Sequence, residues 1–285
     1  MTADLPPKDW PGRANSQIVA CKPHRWHVQI TGTGPDVLLL HGAGASCHSW
    51  GRLIPFLADH YRTIALDLPG HGWTRSPRGR ARLGDVAADI GHLCRQEGWA
   101  PKLIIGHSAG GAISLELARQ GLLSPDHLVV VNGALENFRG AAGWLFPVMA
   151  KMLALNPFTG LLISQGGRSM QQVRSILASA GTDLDDDALA HYATLIQRRT
   201  HVDGTLAMMA QWSLDDLNRA LPQITIPCLF IHGAKDGAVP VNVAERAAGQ
   251  MPKARLVTLE GVGHLAQEEA PARVAAEIAG FISPQ

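Results

Sequence analysis

Net charge is what this sequence has least of. Across 285 residues, 25 Lys and Arg stand against 24 Asp and Glu, and charged residues make up 17% of the chain. Such a balance excludes a strongly basic nucleic-acid binder and an acidic disordered tail. Cysteine is scarce as well. The four residues, Cys21, Cys47, Cys94 and Cys228, show no CxxC or other zinc-ligand spacing. A disulfide scaffold is not expected in a chain this large; structural thiols in a reducing compartment are. No GxGxxG follows a strand-like run, and neither HExxH nor a GxxxxGK followed by Ser or Thr occurs. No cofactor and no metal is therefore expected.

Targeting signals are also lacking. Residues 1–10 have neither a basic n-region nor an apolar h-region, so no signal peptide is expected. The most apolar stretch, 141–164, is broken by Pro147, Lys151, Asn156 and Pro157. It is too interrupted for a transmembrane segment but suits contact with a membrane surface or a greasy ligand. The expected location is cytoplasmic, with peripheral membrane contact left open. Hydrophobic residues at 46% exclude wholesale disorder. The length fits one large domain, or a core domain carrying an insertion.

The chain holds no internal repeat. Residues 1–16 read as a loose polar arm with Pro6, Pro7 and Pro11. Residues 17–22 and 25–31 read as strands around Pro23. Short apolar runs then recur at 36–40, 62–66, 102–105, 128–131, 227–231 and 255–259, each closed by a turn containing glycine. Runs of this kind suit buried strands. Helical patterns at 83–97, 111–119, 241–250 and 271–281 lie between or after them. The alternation predicts a parallel sheet covered on both faces, with chemistry at the carboxyl ends of the strands. It fails from 135 to 223, which reads as helices without a strand, for example 142–155, 169–180, 186–199 and 204–212. We read 135–222 as a helical cap inserted between core segments 1–134 and 223–285.

Gly106-His107-Ser108-Ala109-Gly110 fits the nucleophile-elbow pattern GxSxG. Matches arise by chance, so context decides. Here the motif follows an apolar run and opens a helix rich in small residues. The sharp turn needs glycine where side chains would collide. It presents Ser108 beside a helix N-terminus as a candidate nucleophile. A serine needs a base, and the base needs an orienting acid. In sheets of this type the order along the chain is Ser, acid, His. That order selects Asp236, just after the 227–231 run, and His264, in Gly261-Val262-Gly263-His264. The other histidines at glycine turns, His41, His71, His107 and His232, all precede Asp236 in the sequence. Asp67 stands in Asp67-Leu68-Pro69-Gly70, a turn signal that suits capping. The turn after 128–131 offers Asn132 and Glu136, so Asp236 is favoured. A developing oxyanion needs backbone N–H donors. Ala109 supplies one, and Ala43 in His41-Gly42-Ala43-Gly44 supplies the other, with Gly44 as alternative.

These pieces, 41–44, 67–72, 106–110, Asp236 and His264, resemble the α/β-hydrolase superfamily over essentially the whole chain. The resemblance implies an α/β fold: a mostly parallel eight-stranded sheet, helices on both faces and an inserted helical cap. A narrower resemblance rests on Pro23-His24-Arg25-Trp26-His27-Val28-Gln29, on 41–50, and on Met208-Met209-Ala210-Gln211-Trp212 with Asp215 and Leu217. Those segments are similar to the magnesium-chelatase accessory proteins of bacteriochlorophyll biosynthesis (BchO type). That implies tetrapyrrole metabolism and an association with magnesium chelatase, without defining a reaction. Haloalkane dehalogenases and epoxide hydrolases use an aspartate nucleophile, which Ser108 is not. Carbon–carbon bond hydrolases usually carry a Gly-Pro-Gly oxyanion loop, which 41–46 lacks. Ester-type acyl chemistry is therefore the leading expectation, with C–C cleavage open.

The cap segment is rich in apolar side chains. With His107 beside the nucleophile, Trp144, Phe146, Met149, Met208 and Trp212 are expected to line a wide pocket for a hydrophobic small molecule such as a tetrapyrrole. Arg168, Arg174, Arg198 and Arg199 are candidates to pair with substrate carboxylates. Two rival readings remain: a non-catalytic tetrapyrrole carrier or chelatase partner, and a cofactor-independent oxygenase using a His–Asp pair.

Overall fold

The computed structural model describes residues 5–136 and 170–283. The apolar runs form β1 (Ser16–Cys21), β2 (His24–Thr31), β3 (Asp36–Leu40), β4 (Arg62–Leu66), β5 (Leu103–His107), β6 (His127–Val131), β7 (Cys228–Gly233) and β8 (Ala254–Leu259). They make one eight-stranded sheet in the order β1-β2-β4-β3-β5-β6-β7-β8. β2 pairs antiparallel with β1 and β4, and every other pairing is parallel. This is the sheet that the superfamily resemblance implies.

Side chains alternate across the sheet, because successive Cβ atoms on a strand point to opposite faces. Leu38, Leu40, Ile64, Leu66, Ile104, Val130 and Phe230 enter the core on one face. Val37, Leu39, Ala65, Ile105, Val131 and Ile231 enter the core on the other. Burial on both faces requires apolar residues at consecutive positions, which is why the sequence shows runs. Helices α2 (Leu83–Glu97), α3 (Ala109–Arg119) and α8 (Val241–Gln250) pack on the first face. Helices α1 (Ile54–Leu57) and α10 (Pro271–Ile282) pack on the second. α2 turns Val86, Ile90, Leu93 and Cys94 inward at helical spacing and stops at Gly98, which takes the left-handed conformation, φ 67°, expected of a glycine that ends a helix.

Between β6 and β7 the described chain is helical: α4 (Met170–Ser179), α5 (Asp186–Ile196), α6 (Arg199–Gln211) and α7 (Asp215–Ala220). α5 is capped by Asp185, whose carboxylate accepts the Ala188 N–H at 3.0 Å. The predicted helix 142–155 lies outside the described residues. The N-terminal arm differs from expectation. Trp10 is buried, edge-on to Trp73 with 4.4 Å between ring centroids, and near the rings of His48 and His191. The apolar area of one indole is enough to tie the arm down. A short helix, α9 (Ala266–Glu269), follows the β8 loop.

Histidines fill the space beneath the strand-end loops. His41, His48, His71 and His201 are buried. Burial holds each below the usual imidazole range, His201 at about 4. Unfolded histidines titrate near 6.5 and Glu near 4.3. The stability these neutral rings contribute is therefore complete above pH ~6.5 and is lost as the pH falls through the next units. Glu268 acts in the opposite sense. Burial raises its carboxyl to about 7, although the Ser49 and Tyr192 hydroxyls favour its charged form. Its contribution to stability grows as it gains a proton below pH ~7. Two outcomes are expected. The urea midpoint falls between pH 6.5 and 4, and Glu268→Gln stabilises the protein more at pH 8 than at pH 5. A midpoint that rises on acidification, or a Glu268→Gln effect independent of pH, would contradict these assignments.

Candidate active site

The parallel register brings the ends of β3, β5, β6, β7 and β8 to one edge of the sheet. Ser108 lies between β5 and α3 with φ 50°, a conformation that is strained for a residue with a side chain. Its N–H donates to Val131 O at 3.0 Å, and its carbonyl accepts from Gly111 N at 3.0 Å and Ala134 N at 3.1 Å. Glycine is required on both sides of the turn. A Cβ at Gly106 would lie 2.2 Å from Gly110 O, and one at Gly110 would lie 1.9 Å from Leu40 O. The sequence pattern thus reports a backbone-to-backbone contact.

Asp236 and His264 meet at this edge. His264 Nδ1 lies 2.8 Å from Asp236 Oδ2. The carboxylate is otherwise fully engaged: Oδ2 accepts from Asn132 Nδ2 at 2.7 Å, and Oδ1 accepts from Ala238 N and Val239 N, each at 2.8 Å. Burial favours a neutral Asp236, but the hydrogen bond and charge of His264, with the Val239 and Asn132 donors, hold it below the usual carboxylate range. An ionised acid on Nδ1 leaves Nε2 as the basic nitrogen, and His264 lines a cavity at this edge. Among the described residues no hydrogen bond joins Ser108 Oγ to His264. Asn132 is the residue that sequence reasoning passed over. It was weighed as an acid position, whereas its amide clamps Asp236 and also reaches Gly263 O at 3.3 Å. Its position just after β6 was legible; its partner across the sheet edge was not.

Ala43 lines the cavity, and Ala109 is the first residue of α3. The N–H groups in a helix's first turn have no intrahelical acceptor. His41 orients the Ala43 peptide. Leu68 N–H donates to His41 Nε2 at 2.9 Å, so Nδ1 carries the proton and donates to Gly42 O at 2.7 Å. Gly42 C=O and Ala43 N–H share one planar peptide. A Cβ on Gly42 would lie 3.0 Å from Ser108 Cβ, so this loop rests on the elbow.

The cavity measures about 790 Å³ and is mostly apolar, with Val173, Ile176, Leu177, Ile196, Val202 and Leu206 on its helical side. His107 lines it. Its Nε2 donates to His264 O at 2.9 Å, and burial, followed by the nearby His264, lowers it to about 3. Met208 and Trp212 are not in the lining. Met208 is buried in the first-face core, and Trp212 packs against that same core. The reason is helical phase: α6 turns His201, Val202, Thr205 and Leu206 to the cavity and Met208 away from it. Trp144, Phe146 and Met149 lie outside the described residues, as does Arg168. The other arginines have partners elsewhere. Arg174 pairs with Asp186 at 2.5 Å, Arg199 with Asp203 at 3.5 Å, and Arg198 lies 4.6 Å over the Trp73 ring.

Asp67 caps turns, as its sequence context suggests. Oδ1 accepts from Cys47 N at 2.8 Å, and Oδ2 accepts from Trp73 N at 2.8 Å and His27 Nδ1 at 2.7 Å. The ligand-type atoms of His27, Cys47 and Asp67 lie within 4.8 Å of one another. Protein donors and acceptors already occupy them: His27 Nε2 meets Ser16 Oγ at 3.0 Å, and burial keeps Cys47 a thiol. The trio therefore fits a hydrogen-bonded core better than a metal site.

One substitution tests the elbow. Gly106→Ala forces a methyl group onto Gly110 O and should cost at least about 2 kcal/mol in urea denaturation. A variant as stable as the parent would show that the turn is not held as described.

The α/β hydrolase fold family model matches residues 35–271. The chain is 46% identical to the magnesium-chelatase 30 kDa subunit of Rhodobacter capsulatus, over 93% of each chain. It is 28% identical to the pimeloyl-acyl-carrier-protein methyl ester esterase of Xanthomonas oryzae pv. oryzae, over 84% of this chain and 91% of that protein. The solved epoxide hydrolase CorEH superposes with a TM-score of 0.78 at 21% identity, over 93% of this chain and 97% of that one, which speaks to the fold alone. With its sheet, its elbow and these similarities, the chain belongs to the α/β hydrolase fold family and is related within it to the R. capsulatus magnesium-chelatase 30 kDa subunit.

Proposed function

We propose that this chain is a serine hydrolase of hydrophobic esters working in magnesium-tetrapyrrole (bacteriochlorophyll) biosynthesis. The observation that carries the reading is the 2.8 Å bond from His264 Nδ1 to a fully hydrogen-bonded Asp236 at the sheet edge that holds Ser108. In this reading Ser108 Oγ attacks the acyl carbon while His264 Nε2 takes its proton. The carbonyl oxygen becomes an oxyanion received by the Ala43 and Ala109 N–H groups. The C–O bond to the leaving group breaks, and His264 returns the proton to the departing alkoxide. Water, deprotonated by His264, then releases the acid and restores Ser108. Asp236 stays ionised and stabilises the imidazolium. In this reading the Ser108–His264 hydrogen bond forms only when substrate enters, since catalytic hydrogen bonds are often unmade or long in a free enzyme.

The cavity supports the substrate class, since its apolar walls desolvate a greasy ester. Residues 135–222 act as the cap over a core of 1–134 and 223–285, because α4, α5 and α6 supply the walls that face the strand ends. The relative's name supports an association with magnesium chelatase. No described helix is long and apolar enough to cross a membrane; the reading takes the protein as cytoplasmic, with peripheral contact.

A second reading, a non-catalytic tetrapyrrole carrier, is favoured by the unmade Ser108–His264 bond. Intact-mass labelling with a fluorophosphonate separates the two. The hydrolase reading expects one adduct on the parent chain, none on Ser108→Ala and at least tenfold slower labelling of Asp236→Asn. No adduct on the folded parent, or one that persists in Ser108→Ala, would overturn it in favour of the carrier, and porphyrin titration would follow.

A further inference from the structure

Beyond the triad, one side chain ties the helices over the cavity to the loop that would receive the oxyanion. We infer that His201 is a positioning residue for that loop, latching α6 to the Gly44 carbonyl through its Nε2–H. The role rests on the serine-hydrolase reading for its catalytic meaning, though not for its geometry.

His201 lies in the first turn of α6 and is 2% exposed. Gly72 N–H points at its Nδ1 at 3.0 Å. An amide N–H can only donate, so Nδ1 is the acceptor and the ring proton sits on Nε2. Nε2 lies 3.2 Å from Gly44 O and donates to it. Burial holds the ring neutral near physiological pH, which keeps this tautomer. The loop is thus held at both ends of its turn. His41 Nδ1 and Ala45 N bind Gly42 O at 2.7 and 3.2 Å, and His201 binds Gly44 O after a left-handed bend at φ 77°. Ala43, the expected donor, lies between these two anchors.

The close seat of α6 is built into its sequence. A Cβ at Gly204 would lie 2.2 Å from Gly70 O. Only glycine lets the helix backbone reach the Gly70 turn, and His201 stands on the preceding turn of the same helix. Thr205 Oγ1 also donates to His201 O at 2.9 Å. His201 lines the cavity as well, so a substrate that displaces α6 would move the donor loop with it.

Two isosteric variants divide the ring's contacts. His201→Asn places an amide oxygen near Nδ1, keeping Gly72 and losing Gly44. His201→Gln places an amide nitrogen near Nε2, keeping Gly44 and losing Gly72. Each loses one hydrogen bond, so a purely structural role would affect them alike. Fluorophosphonate labelling and hydrolysis of p-nitrophenyl butyrate should fall about 10–100-fold in kcat for His201→Asn, with KM nearly unchanged. His201→Gln should stay within about fivefold of the parent. Amide hydrogen exchange of residues 42–45, read in the same proteins, should speed up in His201→Asn and not in His201→Gln. Equal effects of both variants on rate or exchange would overturn the assignment. If the parent itself shows no labelling and no hydrolysis, the hydrolase reading fails, and the exchange comparison alone decides whether His201 holds the loop.

Discussion

The contact between Gly110 and the end of β3 sets the geometry of the whole site. The helix after the elbow approaches so closely that a Cβ at Gly110 would sit 1.9 Å from Leu40 O. That approach fixes how far Ser108 stands from the 42–44 loop, because one element ends in the loop and the other begins at the serine. The strained Ser108 backbone persists because its amide and carbonyl are held by Val131, Gly111 and Ala134. Parallel pairing then carries the constraint across the sheet. Once β5 is placed, β6 brings Asn132, β7 brings Asp236 and β8 brings His264 to the same edge.

Around this frame, polar groups are buried in matched sets. Asp67 is desolvated, yet His27 and the Cys47 and Trp73 amides hold its carboxyl far below the usual range. Asp236 is treated similarly by His264, Asn132 and two amides. A buried carboxylate without such partners would take up a proton or destabilise the fold. The two networks differ in access. His27 and Asp67 are sealed, whereas the His264 side chain remains 14% exposed at the cavity. In the proposed mechanism that difference, more than the pairing itself, separates the structural His–Asp pair from the one that would exchange a proton with a ligand.

Much of this was legible in the chain. The strand runs were readable because a sheet covered on both faces demands consecutive apolar residues, and Gly106, Ser108 and Gly110 because a steric requirement leaves a fixed spacing. The parallel direction of the strands brings the loops bearing Ser108, Asp236 and His264 to one edge, while their expected order as nucleophile, acid and base is what the superfamily resemblance implies. Met208 and Trp212 were misread as cavity walls because composition reveals apolar character without the phase of a helix against its neighbours. The N-terminal arm reads as loose because the partners that bury Trp10, namely Trp73, His48 and His191, are remote in sequence.

By itself, then, the sequence determined the layered sheet, the elbow and the residues available at the strand ends, since each reflects a local steric or periodic rule. Tertiary structure alone decided that Asn132 clamps Asp236, that His41 and His201 pin the loop bearing Ala43, and which face of α6 meets the cavity. Those are meetings between segments from 27 to 157 residues apart, and only the packed chain fixes the few ångströms and the proton positions on which hydrogen bonding depends.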